Sequence, residues 1–538
     1  MVLDIPCDTH LAHTVVEYPP NAVHRIYQVL STKPHHLTSL SLQVEYAQLW
    51  KVTSLLQGLS RPATLLKDLS IFVHYPSNQP VDHNIPYIAL DTNLYPALHS
   101  LTLQGLCIHP RNGVGIVLQL EVLKLWHYPS SAVDMYFGEL AQVLVETQKL
   151  RTLEIVDFLQ KVIFRNEDLP VHEPLRIGKL KHFVCEDNMN AVRQFLREVD
   201  IGKEVRAVIT AHLLPTYVMN ESIHASLMAV LCRLVGDTGG EEARQQRDLL
   251  SRSGRHERIE EPDDYEPVGW IFPSEEHLPS LFGTFRNVCL WISNGALEIV
   301  AGSSETNSGQ LICRVPLRRQ GPWHDSDMFL QQALTCSALC AICSHFIIPA
   351  GSMLRSLHVA AHLNFVEEFT WEDVLFTAPE LTSLYLEDTG PKYKTELDHP
   401  LGVLAVFNAL AADEPGRPEE HPAAFTQRPV VVRRLMRSSA GRFFPAARLR
   451  SITFKGAMFS ASVLRAIRIS LVSRASRGWC SAAIQKLTLY LYRWPGDDSV
   501  AVEAAAETEY RTLQNWARSV NMALVLHISP LPNALRRE

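Results

Sequence analysis

A six-residue phrase, leucine-x-x-leucine-x-apolar, recurs along most of this chain and constrains its fold more than any other feature. Strict copies begin at Leu37, Leu66, Leu98, Leu120, Leu150, Leu354 and Leu381, and looser copies begin at Leu180, Phe285, Leu449 and Ile484. A chain this rich in leucine would contain roughly two strict copies by chance. The excess predicts a series of similar structural units, each with one short apolar strand.

The segments between the copies have the pattern of helices. The first six copies start 29, 32, 22, 30 and 30 residues apart. Tyr136 to Thr147, within one of these gaps, has apolar residues at the spacing of one helix face. Strands of fixed length that alternate with helices of variable length predict an α/β fold. We expect an irregular leucine-rich-repeat solenoid, a horseshoe with a parallel concave sheet, outer helices and inserted loops.

The spacing of the phrase changes after the sixth copy, and this change suggests three regions. Residues 1–235 form an N-terminal repeat region, and residues 268–538 form a C-terminal one. The polar tract 236–267 between them is charged and poor in aromatic residues, which predicts a disordered insert. The C-terminal region also contains a predicted hairpin of VCLWIS, ALEIVAG and QLICRVPL, and a Pro/Glu-rich loop near 413–429.

Composition indicates a globular protein of a reducing compartment. Hydrophobic residues make up 46% and charged residues 20% of the chain, so wholesale disorder is excluded. The 10 cysteines are scattered through apolar phrases, as buried thiols of a cytoplasmic or nuclear protein would be. No basic-then-apolar signal opens the sequence. The uncharged segment Ala333 to Leu354 contains His345, Pro349 and Gly351, which favours a buried helix over a membrane span.

Charge is unevenly distributed. The formal net charge is −7, which argues against a general polyanion binder. The block from Arg428 through Arg493 nevertheless contains fourteen Lys and Arg residues and no Asp or Glu. Two interpretations remain open: the arginines solvate helix surfaces, or they attract an acidic partner.

The segment CSALCAIC offers the sharpest candidate for metal chemistry. Cys336, Cys340 and Cys343 have the C-x3-C-x2-C spacing of radical S-adenosylmethionine enzymes, where three thiolates bind an iron–sulfur cluster. The Gly-Gly-Glu tripeptide that would accompany them, at Gly239, precedes them in the sequence and lies in the polar tract. The same spacing places all three cysteines on one helix face, where small core residues pack. Core packing is our interpretation; a cluster or zinc enzyme is the alternative.

Other enzyme signatures are absent from the sequence. It has no G-x-x-x-x-G-K-S/T phosphate loop, no G-x-S-x-G elbow, no H-E-x-x-H pair and no G-x-G-x-x-G turn. The segment YLYRWP could stack on nucleic-acid bases, but a packed strand edge explains it equally simply. We therefore expect a protein that is not an enzyme, holds no cofactor and does not bind nucleic acid.

If the leucines of each phrase face the core, the residues between them face outward and can bind a partner. This alternation predicts an exposed row of eight candidate binding residues: Lys124, Trp126, Glu154, Glu186, Trp291, His358, Tyr385 and Glu387. Tryptophan and tyrosine are favoured interface anchors. The alternative is that an inserted segment covers this face and the same aromatics are core.

The phrase APELTSLYL, with its proline just before the repeat, resembles the leucine-rich-repeat-like proteins of mushroom-forming fungi. The resemblance covers roughly residues 15 to 528. Many of those proteins carry an N-terminal F-box that docks onto a Skp-type adaptor of a cullin ubiquitin ligase. The resemblance therefore implies a substrate receptor of such a ligase. An F-box phrase of the LPxE type is not visible here, so either a truncated gene model or a repeat-only relative would explain the sequence.

Overall fold

The computed structural model describes residues 12–16, 36–75, 87–109, 114–128, 134–164, 174–212, 272, 279–293, 296–302, 309–316, 335, 338–339, 342–343, 346, 354–366, 368–390, 392–393, 401–412, 446–476, 484–495 and 499–537. The chain divides into two compact units. Unit 1 consists of Met1–His212, Ile271–Thr284 and Glu305–Arg314. Unit 2 consists of Leu213–Trp270, Phe285–Ser304 and Val315–Glu538.

The fold is α/β, with mostly parallel strands. The strands of the main sheet are β1 (Ala12–Val16), β2 (Leu37–Glu45), β3 (Asp68–His74), β4 (Ser100–Gln104), β5 (Val122–Trp126), β6 (Thr152–Val156), β7 (His182–Asn188), β8 (Arg206–His212), β9 (Asn287–Ile292), β10 (Ala296–Gly302), β11 (Gln310–Pro316), β12 (Ser356–Ala361), β13 (Ser383–Asp388), β14 (Ser451–Met458), β15 (Lys486–Arg493) and β16 (Ala523–Pro530). In unit 1, β1 to β8 pair in sequence order and β11 follows β8, all in parallel. In unit 2, β9 and β12 to β16 pair in parallel, and β10 is antiparallel to β9.

Helices fill most of the crossovers. They are α1 (Leu49–Gln57), α2 (Val114–Val117), α3 (Phe137–Glu146), α4 (Met189–Glu198), α5 (Glu368–Thr377), α6 (Leu401–Ala411), α7 (Ala461–Ser476) and α8 (Ser499–Ser519). Short 3-10 turns lie at Tyr46–Gln48, Leu159–Lys161, Ser280–Thr284, Leu363–Phe365 and Asn533–Leu535. The helix predicted around 137–145 is confirmed, except that Val145 points to solvent and Val143 is buried instead.

Every copy of the phrase places its second and third apolar residues in a strand. In unit 2, for example, Leu384 and Leu386 of β13 are buried, while the residues between and after them alternate outward. Leu37 begins β2, but in the other copies the first apolar residue lies before the strand, in most cases in a recurring turn. Its backbone N–H donates to the carbonyl three residues earlier, as in Leu66 to Ala63, Leu381 to Ala378 and Leu449 to Ala446. The phrase thus encodes a turn and a strand together.

Two strands of unit 1, β1 and β8, were not predicted from the sequence. In β8, Glu204 stands where the phrase would begin and the small Ala207 stands at its second apolar position. The predicted strands β9, β10 and β11 are all present, and the hairpin of β9 and β10 is confirmed. β11 also pairs in parallel with β8 in unit 1, where Leu311 lies opposite Ala207.

Two aspartates end strands at equivalent positions and organise the turns beside them. Asp187 of β7 accepts the backbone N–H of Leu159, which begins a 3-10 turn, at 2.6 Å. Asp388 of β13 accepts the N–H of Leu363, which begins another such turn, at 3.1 Å. Each aspartate follows a Glu in the sequence and points to the buried side. In unit 2 the fully buried ammonium of Lys392 also pairs with Asp388.

Several sequence predictions lie outside the described residues. These are the disordered insert 236–267, the loop near 413–429 and most of the segment Ala333 to Leu354. Within the described part of the chain, no helix has the length and apolar character needed to cross a membrane.

Candidate functional site

All eight predicted binding residues lie on strands and face away from the core. They alternate with buried neighbours, as Lys124 and Trp126 do with Leu123 and Leu125. Trp291 is 36% exposed and the other seven are partly buried. We call this side of each sheet the open face. Unit 1 holds four of the eight and unit 2 holds the other four, so each unit is described separately.

On the open face of unit 1, the predicted residues neutralise one another. The Lys124 ammonium lies 2.9 Å from Glu154 Oε2. Trp126 Nε1 donates to Glu154 Oε1 at 3.1 Å, and the same ammonium lies 5.3 Å from the Trp126 ring. Phe72, which the sequence analysis missed, packs beside Trp126 with its ring centroid 6.2 Å away. One carboxylate thus holds both the cation and the indole.

Glu186 has a partner on the same face of unit 1. Its Oε1 lies 3.0 Å from Nε2 of His212, the last residue of β8. His212 was missed because β8 itself was not predicted. The four predicted residues of unit 1 therefore form two small polar groups with internal contacts.

On the open face of unit 2, three aromatic side chains from adjacent strands pack edge to face. The centroids of Trp291 and His358 are 5.5 Å apart, and those of His358 and Tyr385 are 4.1 Å apart. The strands β9, β12 and β13 set this order, because Cys289, His358 and Tyr385 lie opposite one another in the parallel ladder. We call Trp291, His358 and Tyr385 the aromatic row.

Burial shifts the pKa of two residues in the aromatic row. Loss of hydration lowers the pKa of His358, which outweighs the opposite influence of Glu387. Burial also raises the pKa of Tyr385, and Glu387 adds to this rise. His358 is therefore neutral at neutral pH, and its Nε2 is buried without a hydrogen-bond partner among the described residues. A buried nitrogen of this kind is costly to leave unpaired.

A salt bridge and a second aromatic pair continue the open face of unit 2. Lys455 Nζ lies 2.6 Å from Glu387 Oε1, and this hydrogen bond raises the pKa of Lys455. Tyr490 and His527 stack with centroids 4.5 Å apart on β15 and β16. The sequence analysis did not include Lys455, Tyr490 or His527 among the candidate binding residues. Extending the same alternation into the looser copies would have found Lys455 and Tyr490.

The residue just before each strand lies in a hydrogen-bonded ladder that we call the entry ladder. Its carbonyl accepts N–H groups from the next strand, as Lys67 does from His99 and Ser100, and Arg355 does from Thr382 and Ser383. The entry ladder of unit 1 contains Lys67, His99, Glu121, Arg151 and Lys181. The entry ladder of unit 2 contains Arg286, Arg355, Thr382, Arg450 and Gln485.

Most described cations of the Arg428–Arg493 block are already neutralised within unit 2. They pair with acidic side chains as Arg448 with Glu380, Lys455 with Glu387, Arg465 and Arg468 with Glu509, and Arg493 with Glu503. Arg474 is buried and donates to the carbonyls of Leu410 and Ala446 at 3.1 and 2.9 Å. Arg450 and Lys486 are exposed and form no ion pair with any described residue. Most of the described cations of the block therefore have structural partners, and the two described cations without an ion pair lie at strand entries.

The cysteine set is only partly described. Cys343 is buried on the same helical face as Leu339 and Phe346, as core packing predicts, and Cys336 and Cys340 lie outside the described residues. Across the part of the chain that the structure describes, no three His, Cys, Asp or Glu side chains are arranged to hold a metal ion. Cys107, Cys185 and Cys313 are buried thiols, and burial raises the pKa of Cys107 and Cys313 to about 12.

No protein-family model matches this chain, and no curated protein is significantly similar to it in sequence. The functional argument therefore depends on the residues of the two open faces and the entry ladders.

Proposed function

We propose that this chain is a leucine-rich-repeat solenoid that acts as a non-catalytic scaffold for binding another protein. The aromatic row of unit 2 is the observation that carries the proposal. Trp291, His358 and Tyr385 lie on adjacent parallel strands, on the face opposite the core. Aromatic side chains bury a large area with few rotors to freeze, so they are effective interface anchors when a rigid sheet presents them.

The repeated local structure supports the solenoid part of this proposal. Each repeat contributes one turn and one strand, and successive strands pair in parallel with the strand before them over most of each unit. In most copies the phrase also places one apolar residue in the turn and two in the strand. Such units bury their apolar faces against their neighbours, which is the property that lets a solenoid grow by repetition.

His358 supports the binding part. Its Nε2 is buried and has no partner among the described residues, although its ring packs between Trp291 and Tyr385. A hydrogen-bonding group of a bound partner would satisfy this nitrogen and release the cost of leaving it unpaired. The aromatic row would then supply both apolar contact and one directional hydrogen bond.

The test compares two double variants of the full-length chain. Trp291→Ala with Tyr385→Ala truncates the aromatic row. Trp50→Ala with Tyr136→Ala removes the same residue types at positions outside the main sheet, where their side chains are more exposed, at 65% and 64%. Partners captured by the wild type in cells, identified by mass spectrometry, should be lost only with the first variant. Loss of thermal stability in the first variant, or equal capture by both, would refute the proposal.

The resemblance to F-box-associated repeat proteins extends the proposal to a particular role. A substrate receptor of a cullin ligase in the cytoplasm or nucleus would use the open face for its substrate. Recovery of a Skp-type adaptor and a cullin in the same purification would support that role. Reproducible partners without these two components would leave a binding scaffold outside the ligase system.

A further inference from the structure

The entry ladder of unit 2 carries cationic side chains that have no acidic partner among the described residues. Arg355 and Arg450 occupy the ladder itself, and Lys486 begins β15 beside it. All three are exposed and form no ion pair with any described residue. Glu380, which directly precedes the phrase that begins at Leu381, pairs with Arg448.

Three serines begin strands at this edge, and two of them directly follow Arg355 and Arg450 in the sequence. Ser356, Ser383 and Ser451 are the first residues of three adjacent strands and lie opposite one another in the parallel ladder, with Lys486 next in line. Each serine is partly exposed, and no hydrogen bond to any of the three hydroxyls is formed by the described residues. The row therefore offers hydrogen-bond donors along the same edge as the positive charge.

The spacing of these groups suits an extended acidic chain. Neighbouring strands lie about 4.8 Å apart, so Arg355 and Arg450, two strands apart, are separated by roughly 10 Å at the backbone. Side chains on one side of an extended peptide recur about every 7 Å. Arginine and lysine side chains are long and flexible, so they can span the difference between the spacing of the two arginines and that of the peptide side chains. Arginine binds carboxylates through two parallel hydrogen bonds.

We propose that the entry edge of unit 2 binds an acidic peptide segment of a protein partner, through Arg355, Arg450 and Lys486 and the three neighbouring serine hydroxyls. This inference rests on the proposed scaffold function, since it names the chemistry of part of the partner. A protein segment fits better than nucleic acid, because the described residues of this edge supply three separate cations, Arg355, Arg450 and Lys486. Phosphate backbones require a more continuous positive surface.

The test measures binding of a fluorescein-labelled peptide of alternating glutamate and glycine to the full-length protein by fluorescence anisotropy. The same peptide with glutamine in place of glutamate controls for charge. The variant Arg355→Gln, Arg450→Gln, Lys486→Gln removes the proposed contacts. The matched variant Lys67→Gln, Arg151→Gln, Lys181→Gln removes equal charge from the entry ladder of unit 1, where Arg151 and Lys181 already pair with Glu121 and Glu204.

We expect the wild type to bind the glutamate peptide at low salt and to lose affinity as salt rises. The unit 2 variant should bind at least about 10-fold more weakly, and the unit 1 variant should stay within about 2-fold of the wild type. Absence of wild-type binding at low salt, equal weakening in both variants, or tighter binding of a single-stranded oligonucleotide would overturn the proposal.

A second measurement separates this inference from the proposed function. Partner capture in cells is compared for the aromatic-row variant and the unit 2 charge variant. Loss of partners in both variants supports both proposals. If only the aromatic-row variant loses its partners, the scaffold function stands and the acidic segment is refuted. If neither variant loses them, both proposals fail.

Discussion

Unit 1 and unit 2 use the same hydrogen-bonded entry ladder but give it different charges. In unit 1, the ladder contains Glu121, which pairs with Arg151 at 3.8 Å, and Lys181 pairs with Glu204 at 2.8 Å. In unit 2, the uncharged Thr382 lies between Arg355 and Arg450 in the ladder, and the uncharged Gln485 follows Arg450. The backbone geometry is shared, whereas the charge balance is not. The repeat therefore determines the backbone positions of the ladder residues, whereas the side-chain charge at each position differs from copy to copy.

The open faces differ in the same way. Unit 1 presents ion pairs, with Glu154 holding Lys124 and Trp126, and Glu186 holding His212. Unit 2 presents the aromatic row and a buried imidazole nitrogen without a described partner. Groups that already satisfy one another gain little from a partner, whereas an unpaired nitrogen and stacked aromatics gain more. Unit 2 is therefore the better candidate for binding.

The largest expected difference in stability between the units is at their two buried aspartates. Asp388→Ala would leave the buried ammonium of Lys392 without its counter-ion and free two backbone N–H groups, of Leu363 and Gly390. We expect a loss of about 3–5 kcal/mol in the free energy of unfolding. Asp187→Ala breaks only hydrogen bonds, to Leu159 and Asn188, and should cost about 1–3 kcal/mol. Denaturant unfolding of both variants measures this, and equal losses would contradict it.

Two glycines at positive φ give the next comparison. Gly456 in unit 2 has φ +102°, and an added Cβ would overlap the backbone carbonyl of Asp388. Gly105 in unit 1 has φ +78°, and an added Cβ would meet the ring of Tyr75 at 2.7 Å. A ring can shift but a strand backbone cannot, so Gly456→Ala should cost about 3 kcal/mol and Gly105→Ala about 1 kcal/mol. Thermal unfolding of the two variants checks the order.

The pH dependence of stability should have opposite signs at two buried groups. Burial lowers the pKa of His362, beside Asp388 and Lys392 in unit 2, from 6.5 to about 4. The imidazole of His362 is neutral in the folded protein. Its contribution to the free energy of unfolding is therefore present above pH 6.5 and is lost as the pH falls toward 4. Burial raises the pKa of Asp187 in unit 1, so its contribution is present below pH 3.8 and is lost as the pH rises through the folded pKa.

Hydrogen exchange between pH 4 and 7 can follow both units in one experiment. His362→Gln should reduce the acid sensitivity of β12 and its neighbours without changing β7. Asp187→Asn should reduce the pH dependence of hydrogen exchange around β7, which has the opposite sign. Each pKa unit corresponds to about 1.4 kcal/mol, so the changes lie within the range that exchange resolves. Unchanged pH profiles in both variants would contradict the assignment.

The smallest expected effects concern exposed arginines of the entry ladders. Arg151→Gln removes a largely exposed ion pair with Glu121 and should cost less than about 0.5 kcal/mol. Arg450→Gln removes a cation with no described partner and should leave stability unchanged or slightly higher. Denaturant midpoints of the two variants measure the difference. A substantial loss in Arg450→Gln would mean that this side chain is structural and would remove it from the proposed binding edge.

Much of the strand framework could be predicted from the sequence, because a strand alternates its side chains with a period of two. That rule placed Leu384 and Leu386 in the core and Tyr385 and Glu387 outside it, and the structure agrees. The rule failed for β8, since Glu204 and Ala207 weaken its apolar pattern, and backbone pairing with β7 forms that strand nevertheless. A strand held between two neighbours does not need the full phrase.

The sequence by itself determined the repeated turn and strand, and which residues of each phrase face outward. Only the tertiary structure decided which of those residues are neutralised. Lys455 meets Glu387, and Arg448 meets Glu380, across 68 residues of chain in each case. Such pairs depend on the register of a parallel ladder and on the length of each crossover, which no local pattern specifies. The excess of positive charge was therefore visible in the sequence, but its location at Arg450 and Lys486 was not.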